Sequence, residues 1–186
     1  MPSHQLLSSP FLDGLDSALA AHPDVESRYL QLEVLESSAL GDLDTIRTII
    51  VTCQDTFGVH VALDDFGTGY SSLTHMRKLP ANIIKIDQSF VRDMLSDPDD
   101  YAIIKGVIGL ANAFNRQIIA EGVETSDHGL MLLKMGCELA QGYGISRPMP
   151  AEDLPAWLKN YRANDEWITL GNELLVLKES NLKLLQ

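Results

Sequence analysis

The chain has 186 residues, 45% of them apolar, which at roughly 150 residues per domain predicts one globular domain with room for an appendage. Such a chain buries roughly 70% of its unfolded surface and folds without a disulfide or a structural metal. Fourteen basic against twenty-six acidic residues leave a net charge of −12 and a pI of about 4.6; this surface repels nucleic-acid backbones, carries no Lys/Arg cluster to offset the repulsion, and excludes DNA and RNA as partners.

An opening helix is predicted over Phe11 to Ala21 and a strand over Tyr29 to Leu35. A helix over Leu43 to Phe57 leads to a strand over Val59 to Leu63, and a helix over Ser71 to Lys78 leads to a strand over Ile83 to Asp87. The next helix spans Asp99 to Phe114, started by Asp97-Pro98-Asp99-Asp100, which supplies an N-cap, a proline at the first helical position and acids for the helix dipole. A strand over Gln117 to Ala120, a helix over Ser126 to Met135 and a strand over Glu138 to Tyr143 complete the alternation. Short apolar strands alternating with longer helices are the signature of parallel βα units.

Each predicted strand ends in polar residues: Glu33 and Glu36, Asp64 and Asp65, Lys85 and Asp87, Glu121 and Glu124, then Gln141. A single acid after a strand is ordinarily a helix N-cap. Polar residues at five successive strand ends point instead to a site, because these ends share one side of a parallel β/α fold. A full barrel has eight strands and about 250 residues. Five strands therefore leave two architectures open, an incomplete barrel and an open sheet.

The longest apolar runs, such as Leu174 to Leu177, fall far short of the roughly 18 residues of a membrane span. The N-terminal stretch has neither a basic segment nor an apolar h-region, so the expected location is cytoplasmic. Cys53 and Cys137 stand far apart with no Cys-x-x-Cys and no histidine at ligand spacing, which reads as two buried, reduced thiols.

The most specific segment is Asp64-Asp65-Phe66-Gly67-Thr68-Gly69-Tyr70-Ser71-Ser72-Leu73. Adjacent carboxylates in a regular strand point to opposite faces, but a strand breaking into a Gly-rich loop can turn both toward one pocket. Two hard cations close together would explain the need for both. Asp65-Phe66-Gly67 stands without the other kinase motifs, and no Gly-Lys-Ser/Thr follows Gly67 and Gly69, which excludes kinase and P-loop readings.

This segment, together with Leu32-Glu33-Val34-Leu35-Glu36-Ser37, Lys85-Ile86-Asp87-Gln88-Ser89-Phe90, Ala120-Glu121-Gly122-Val123-Glu124-Thr125 and the stretch from Gly136-Cys137 through Gln141-Gly142-Tyr143 to Arg147-Pro148, resembles the EAL domain family of bacterial cyclic di-GMP phosphodiesterases. The segments occur in the family's order and cover about Ser3 to Leu158. The resemblance favours the barrel: an α/β fold, an incomplete TIM-type βα barrel with about five parallel strands and flanking helices. It implies hydrolysis of one phosphodiester bond of cyclic di-GMP with two magnesium or manganese ions. Glu33 and Asp64 would hold one metal, with Asp64 bridging to a second held by Asp65 and Glu121. Lys85, Glu121 and Asp87 would form the catalytic group, Lys85 orienting or activating the attacking water. Glu124, Gln141 and Thr68 would support substrate or loop, and Glu36 would anchor the Asp65 to Ser72 loop.

The family's Glu-Ala-Leu strand and an Asn-x-Ser asparagine, which add two metal ligands, have no equivalent in this sequence. Residues 1–160 therefore read as the C-terminal two thirds of such a domain and 161–186 as a helical C-terminal extension, and the polypeptide is expected to be a weak or inactive enzyme. The exposed strand edges of a shortened barrel would be covered by a partner copy or by the chain's own helices. In the extension, Trp167, Leu170, Leu174, Leu177, Asn181 and Leu184 follow at 3, 4, 3, 4, 3 spacing, a coiled-coil seam with one asparagine, interrupted by Gly171. Packing on its own domain, dimerisation and linkage to a further domain all fit that pattern. The expected partners are cyclic di-GMP, a second copy in a homodimer, and an upstream sensor or GGDEF domain. A non-catalytic cyclic di-GMP-binding or interaction module is the alternative function. An enolase-like lyase also uses lysine and carboxylates at strand ends, but leaves the Asp-Asp-Phe-Gly-Thr-Gly loop unexplained.

Overall fold

A computed structural model of the chain describes residues 10–36, 43–69 and 72–184. In chain order the elements are α1 (Pro10–Ala21), β1 (Gln31–Leu35), α2 (Leu43–Asp55), β2 (His60–Phe66), α3 (Ser72–Lys78), β3 (Ile83–Ile86), α4 (Gln88–Asp93), α5 (Pro98–Ala113), β4 (Gln117–Ala120), α6 (Ser126–Met135), β5 (Leu139–Ala140), α7 (Leu154–Asn160) and α8 (Asp165–Leu184). The five strands form one sheet in the order β1-β2-β3-β4-β5, every pair parallel. Sequential order matters, because right-handed crossovers that never reverse direction keep the connecting helices on one face and curl the sheet. A doubly wound sheet reverses its order instead. This is the strand arrangement of a barrel segment.

Register divides the two faces. Val34, Leu63, Ile84 and Ile118 lie in one row across four strands, and all are buried in a core shared with Ile46 and Ile50 of α2 and Ile104 and Ile108 of α5. The neighbouring positions, Glu33, Ala62 and Ile83 in one row and Lys85 with Ile119 in the next, face the concave side. Helix starts follow the sequence signals. Asp97 caps α5 by accepting the Asp99 amide with Pro98 beside it, Thr125 caps α6, and Gly136, at φ +90°, ends α6 in the left-handed region.

Three local expectations change. The strand predicted over Glu138 to Tyr143 shortens to Leu139–Ala140, because Gly142, at φ +153°, carries the chain so close to Val123 that a Cβ would stand 2.3 Å from its backbone nitrogen. The strand predicted to end at Leu63 runs on to Phe66. Short helices α4 and α7, which the sequence does not announce by apolar periodicity, fill connections. Ser71, expected to start α3, lies outside the described residues.

The extension docks on its own domain. The Trp167 indole donates to the Ser126 carbonyl at 2.9 Å and lies so close to Gly129 of α6 that a Cβ there would stand 2.4 Å from the ring. Asn164 caps α8 by accepting the Glu166 and Trp167 amides and donates to the Ser126 hydroxyl. Among the described residues no helix is long and apolar enough to cross a membrane.

Candidate active site

Three strands bring carboxylates around one ammonium at the C-terminal end of the sheet. Lys85 Nζ on buried β3 lies 2.9 Å from Glu33 Oε1 of β1, 2.8 Å from Asp64 Oδ1 of β2 and 2.6 Å from Glu121 Oε1 just beyond β4. Burial by itself would lower the lysine pKa, but hydrogen bonds to Asp64, Glu121 and Glu33 outweigh it and hold the ammonium above its ordinary range. Glu121 shifts upward because it is buried, with Lys85 opposing the shift.

Asp65 reaches the same place by a backbone irregularity. A regular strand would send it to the face opposite Asp64. Its φ is +55°, and the β2–β3 register slips between Leu63 and Phe66, so Phe66 returns to the core while Asp65 turns inward. The expected loop that turns both carboxylates is thus a bulge inside the strand. Burial first, and the Asp64 and Asp87 charges second, push the Asp65 carboxyl above the usual range. Among the described residues, Asp64, Asp65 and Glu121 form one group whose ligand atoms lie within 4.8 Å of one another and could hold a metal ion.

The supporting residues divide. Gln141 Nε2 donates to Glu121 Oε1 at 2.5 Å, so the fifth strand end joins the group. Glu36 is fully buried, and its Oε2 accepts the Gly67 and Gly69 amides at 2.9 and 3.3 Å, tying down the turn after the paired aspartates. A Cβ at Gly69 would stand 2.8 Å from that carboxylate, so the close approach requires glycine. Thr68, exposed, donates its hydroxyl to the Asp65 carbonyl at 3.0 Å and closes the same turn. Asp87 accepts the Ser89 amide at 2.8 Å and the Ser89 hydroxyl, acting as the N-cap of α4 while its charge faces Asp65. Glu124 is exposed; its amide donates to buried His128 Nδ1 at 3.4 Å.

A cleft of about 510 Å³ opens beside Glu121 and Gln141 and is lined also by Gln88, Glu124, Tyr143 and Arg147. The Arg147 guanidinium stacks 4.6 Å from the Tyr143 ring centroid and brings positive charge to this acidic region. Sequence reasoning quoted Arg147-Pro148 as a motif without giving Arg147 a site role; a lone cation four residues past Tyr143, in so acidic a chain, was the available signal. It also missed His75. This buried histidine lies 3.4 Å from Glu36 Oε1, close enough for an ion pair but misaligned for a hydrogen bond, and nothing local in the sequence announces it.

The EAL domain family profile matches residues 1–148. A bifunctional diguanylate cyclase/cyclic di-GMP phosphodiesterase, MucR of Pseudomonas aeruginosa, is 41% identical over 152 residues, 82% of this chain and 22% of that protein. The chain thus spans about a fifth of the length of this curated relative. A solved MucR phosphodiesterase in complex with c-di-GMP superposes with a TM-score of 0.77 at 40% identity, covering 83% of this chain and 62% of the other. The EAL domain of Mycobacterium smegmatis DcpA gives 0.81 at 38% identity, over 88% and 73% of the two chains. Motif order, a parallel sheet in sequential order, its TIM-barrel-like neighbours and the family match agree, and the chain belongs to the EAL domain family.

Proposed function

We propose that this domain binds cyclic di-GMP and opens one phosphodiester bond to give the linear dinucleotide, as the names of its relatives imply. The observation that carries the proposal is the convergence of Glu33, Asp64, Asp65 and Glu121 on Lys85 beside an open cleft. The donor set consists of carboxylate oxygens, which suits magnesium or manganese. Asp64, Asp65 and Glu121 would hold such an ion, with Glu33 joining through Asp64. Bound there, a divalent cation supplies charge stabilisation to the phosphate.

Lys85, charged at neutral pH, donates hydrogen bonds: it orients the attacking water and meets a phosphoryl oxygen rather than accepting a proton. Gln141 keeps Glu121 aimed into the site. Glu36 and Thr68 hold the turn that presents Asp65, and Asp87 fixes the start of α4, so that Gln88 stays in the cleft wall. Arg147, stacked on Tyr143, offers a planar cationic fork to a phosphate or a guanine edge. Residues 1–160 act as the EAL portion and 161–186 as a helical extension. A second copy and an upstream sensor or GGDEF domain are the protein partners.

The second reading is a binding module without turnover. It draws support from Lys85, which already offsets three carboxylates. Both readings are tested by incubating the purified 186-residue protein with cyclic di-GMP and manganese and following the linear product by chromatography. Weak turnover, removed by a chelator and by Lys85→Ala or Asp64→Asn, is expected. Calorimetric binding without product would favour the module, and absence of both binding and product would sink both readings.

A further inference from the structure

Among the described residues, one buried side-chain nitrogen lacks a hydrogen bond: Nδ1 of His75 in α3, a residue 1% exposed. Native interiors seldom leave such an atom unpaired without a use for it. The other buried histidine, His128, shows the ordinary arrangement, its Nδ1 accepting the Glu124 amide at 3.4 Å. His75 Nδ1 instead faces Oε1 of Glu36 at 3.4 Å. A bare ring nitrogen there would set its lone pair against a carboxylate away from water, which is costly, so the proton belongs on Nδ1. Met76 and Leu79, both buried, anchor α3 in the core and fix where the ring stands.

We infer that His75 is a positioning residue for the site: its Nδ1–H holds Glu36 Oε1, keeps Oε2 on the Gly67 and Gly69 amides, and so ties α3 to the turn that presents Asp65. The two carboxylate oxygens have separate tasks. Oε2 accepts the turn amides at 2.9 and 3.3 Å, and Oε1 is the one turned to His75. A bond from Nδ1 therefore does not compete with the turn; it stops the carboxylate from rotating and exchanging one oxygen for the other. A Cβ at Gly69 would stand 2.8 Å from Oε1, so this oxygen is walled by the turn on one side and the imidazole on the other. The contact is at ion-pair distance but off the hydrogen-bond line, and a small rotation of ring or carboxylate completes it. For its consequence at the site, the inference rests on the proposed reading of Asp65 as a metal ligand.

In the 186-residue protein, long-range 15N NMR of the imidazole should place a proton on His75 Nδ1, and a bare Nδ1 overturns the inference. Amide exchange reads the turn. His75→Leu, close in shape but without a donor, should speed exchange at Gly67 and Gly69 about tenfold. Val123 and Cys137, whose amides bond elsewhere, should keep the parent rate. His75→Asn, which sets an amide nitrogen where Nδ1 stood, should return Gly67 and Gly69 to the parent rate. Manganese affinity, read by calorimetry, should follow, about tenfold weaker in His75→Leu and restored in His75→Asn. Exchange at the turn that ignores His75→Leu, acceleration spread equally over Val123 and Cys137, or no rescue by His75→Asn overturns the inference. So does a parent-like manganese affinity in His75→Leu, since the turn held by His75 would then not present Asp65. A parent that binds no manganese sinks the metal reading of Asp65 instead, while the exchange rates still decide whether His75 holds the turn.

Discussion

The strand-end face has two halves that solve opposite problems. Around Lys85, three carboxylates share one buried ammonium, and the charges compensate one another inside the protein. Around Arg147, the cation rests on Tyr143, and Glu124 and Gln141 are exposed along an open cleft. The first half is held by its own electrostatics and therefore matters to folding. The second is largely hydrated, so its residues are free to contact a ligand at little cost to stability.

The sharpest way to break this contrast is Lys85→Met. Removing one partner of a buried ion cluster costs about 3–5 kcal/mol, toward the lower figure here because Glu33 remains 40% exposed and screened by solvent. Urea unfolding should show that loss, and manganese should restore part of it by replacing the missing positive charge. A variant as stable as the parent would mean that the carboxylates do not depend on the lysine.

Glu36→Ala should cost less, about 2–4 kcal/mol, since it orphans the Gly67 and Gly69 amides and leaves a small cavity. Its activity loss should exceed what the lowered stability explains, because the turn presenting Asp65 is released. Retention of full turnover at a temperature where the variant is folded would separate the turn from the site.

Arg147→Ala tests the other half. Its thermal midpoint should stay at the parent value, while cyclic di-GMP affinity, measured by calorimetry, falls about tenfold with the loss of a charge-assisted contact. Equal affinity would remove Arg147 from the ligand surface.

The smallest effect concerns the thiols. Burial raises the pKa of Cys53 and pushes that of Cys137 up to about 11. Because the thiolate is the reactive form, both should resist maleimide at pH 8 in the folded protein and label fully in urea. Labelling in the native state should grow as pH rises toward that value. Rapid native labelling at pH 8 would place a thiol nearer the surface.

Much of this was open to reading from the chain. Strand ends occupied by Glu33, Asp64, Lys85, Glu121 and Gln141 mark a shared face, because in parallel β/α folds every such end lies on the same side. The proline and aspartates before α5 mark its start, since capping is settled within a few residues. Asp87 shows the limit of this reasoning: a carboxylate in a site motif serves as an N-cap, and only its distances to Ser89 reveal that. Gln88 and Tyr143 become cleft walls only once β4, α4 and the turn after β5 are neighbours.

The sequence by itself determined the alternation of strands and helices, the family and the residues at the strand ends, all of which follow from local periodicity, capping and motif order. Tertiary structure alone decided that one ammonium balances three carboxylates, that Asp65 turns inward on a bulge, that His75 lies against Glu36, and that α8 docks through Trp167 on Gly129. Each of these depends on groups distant in the chain meeting in a buried place, where the absence of water sets the energy of every charge and the shape of every contact, and no local pattern carries that information.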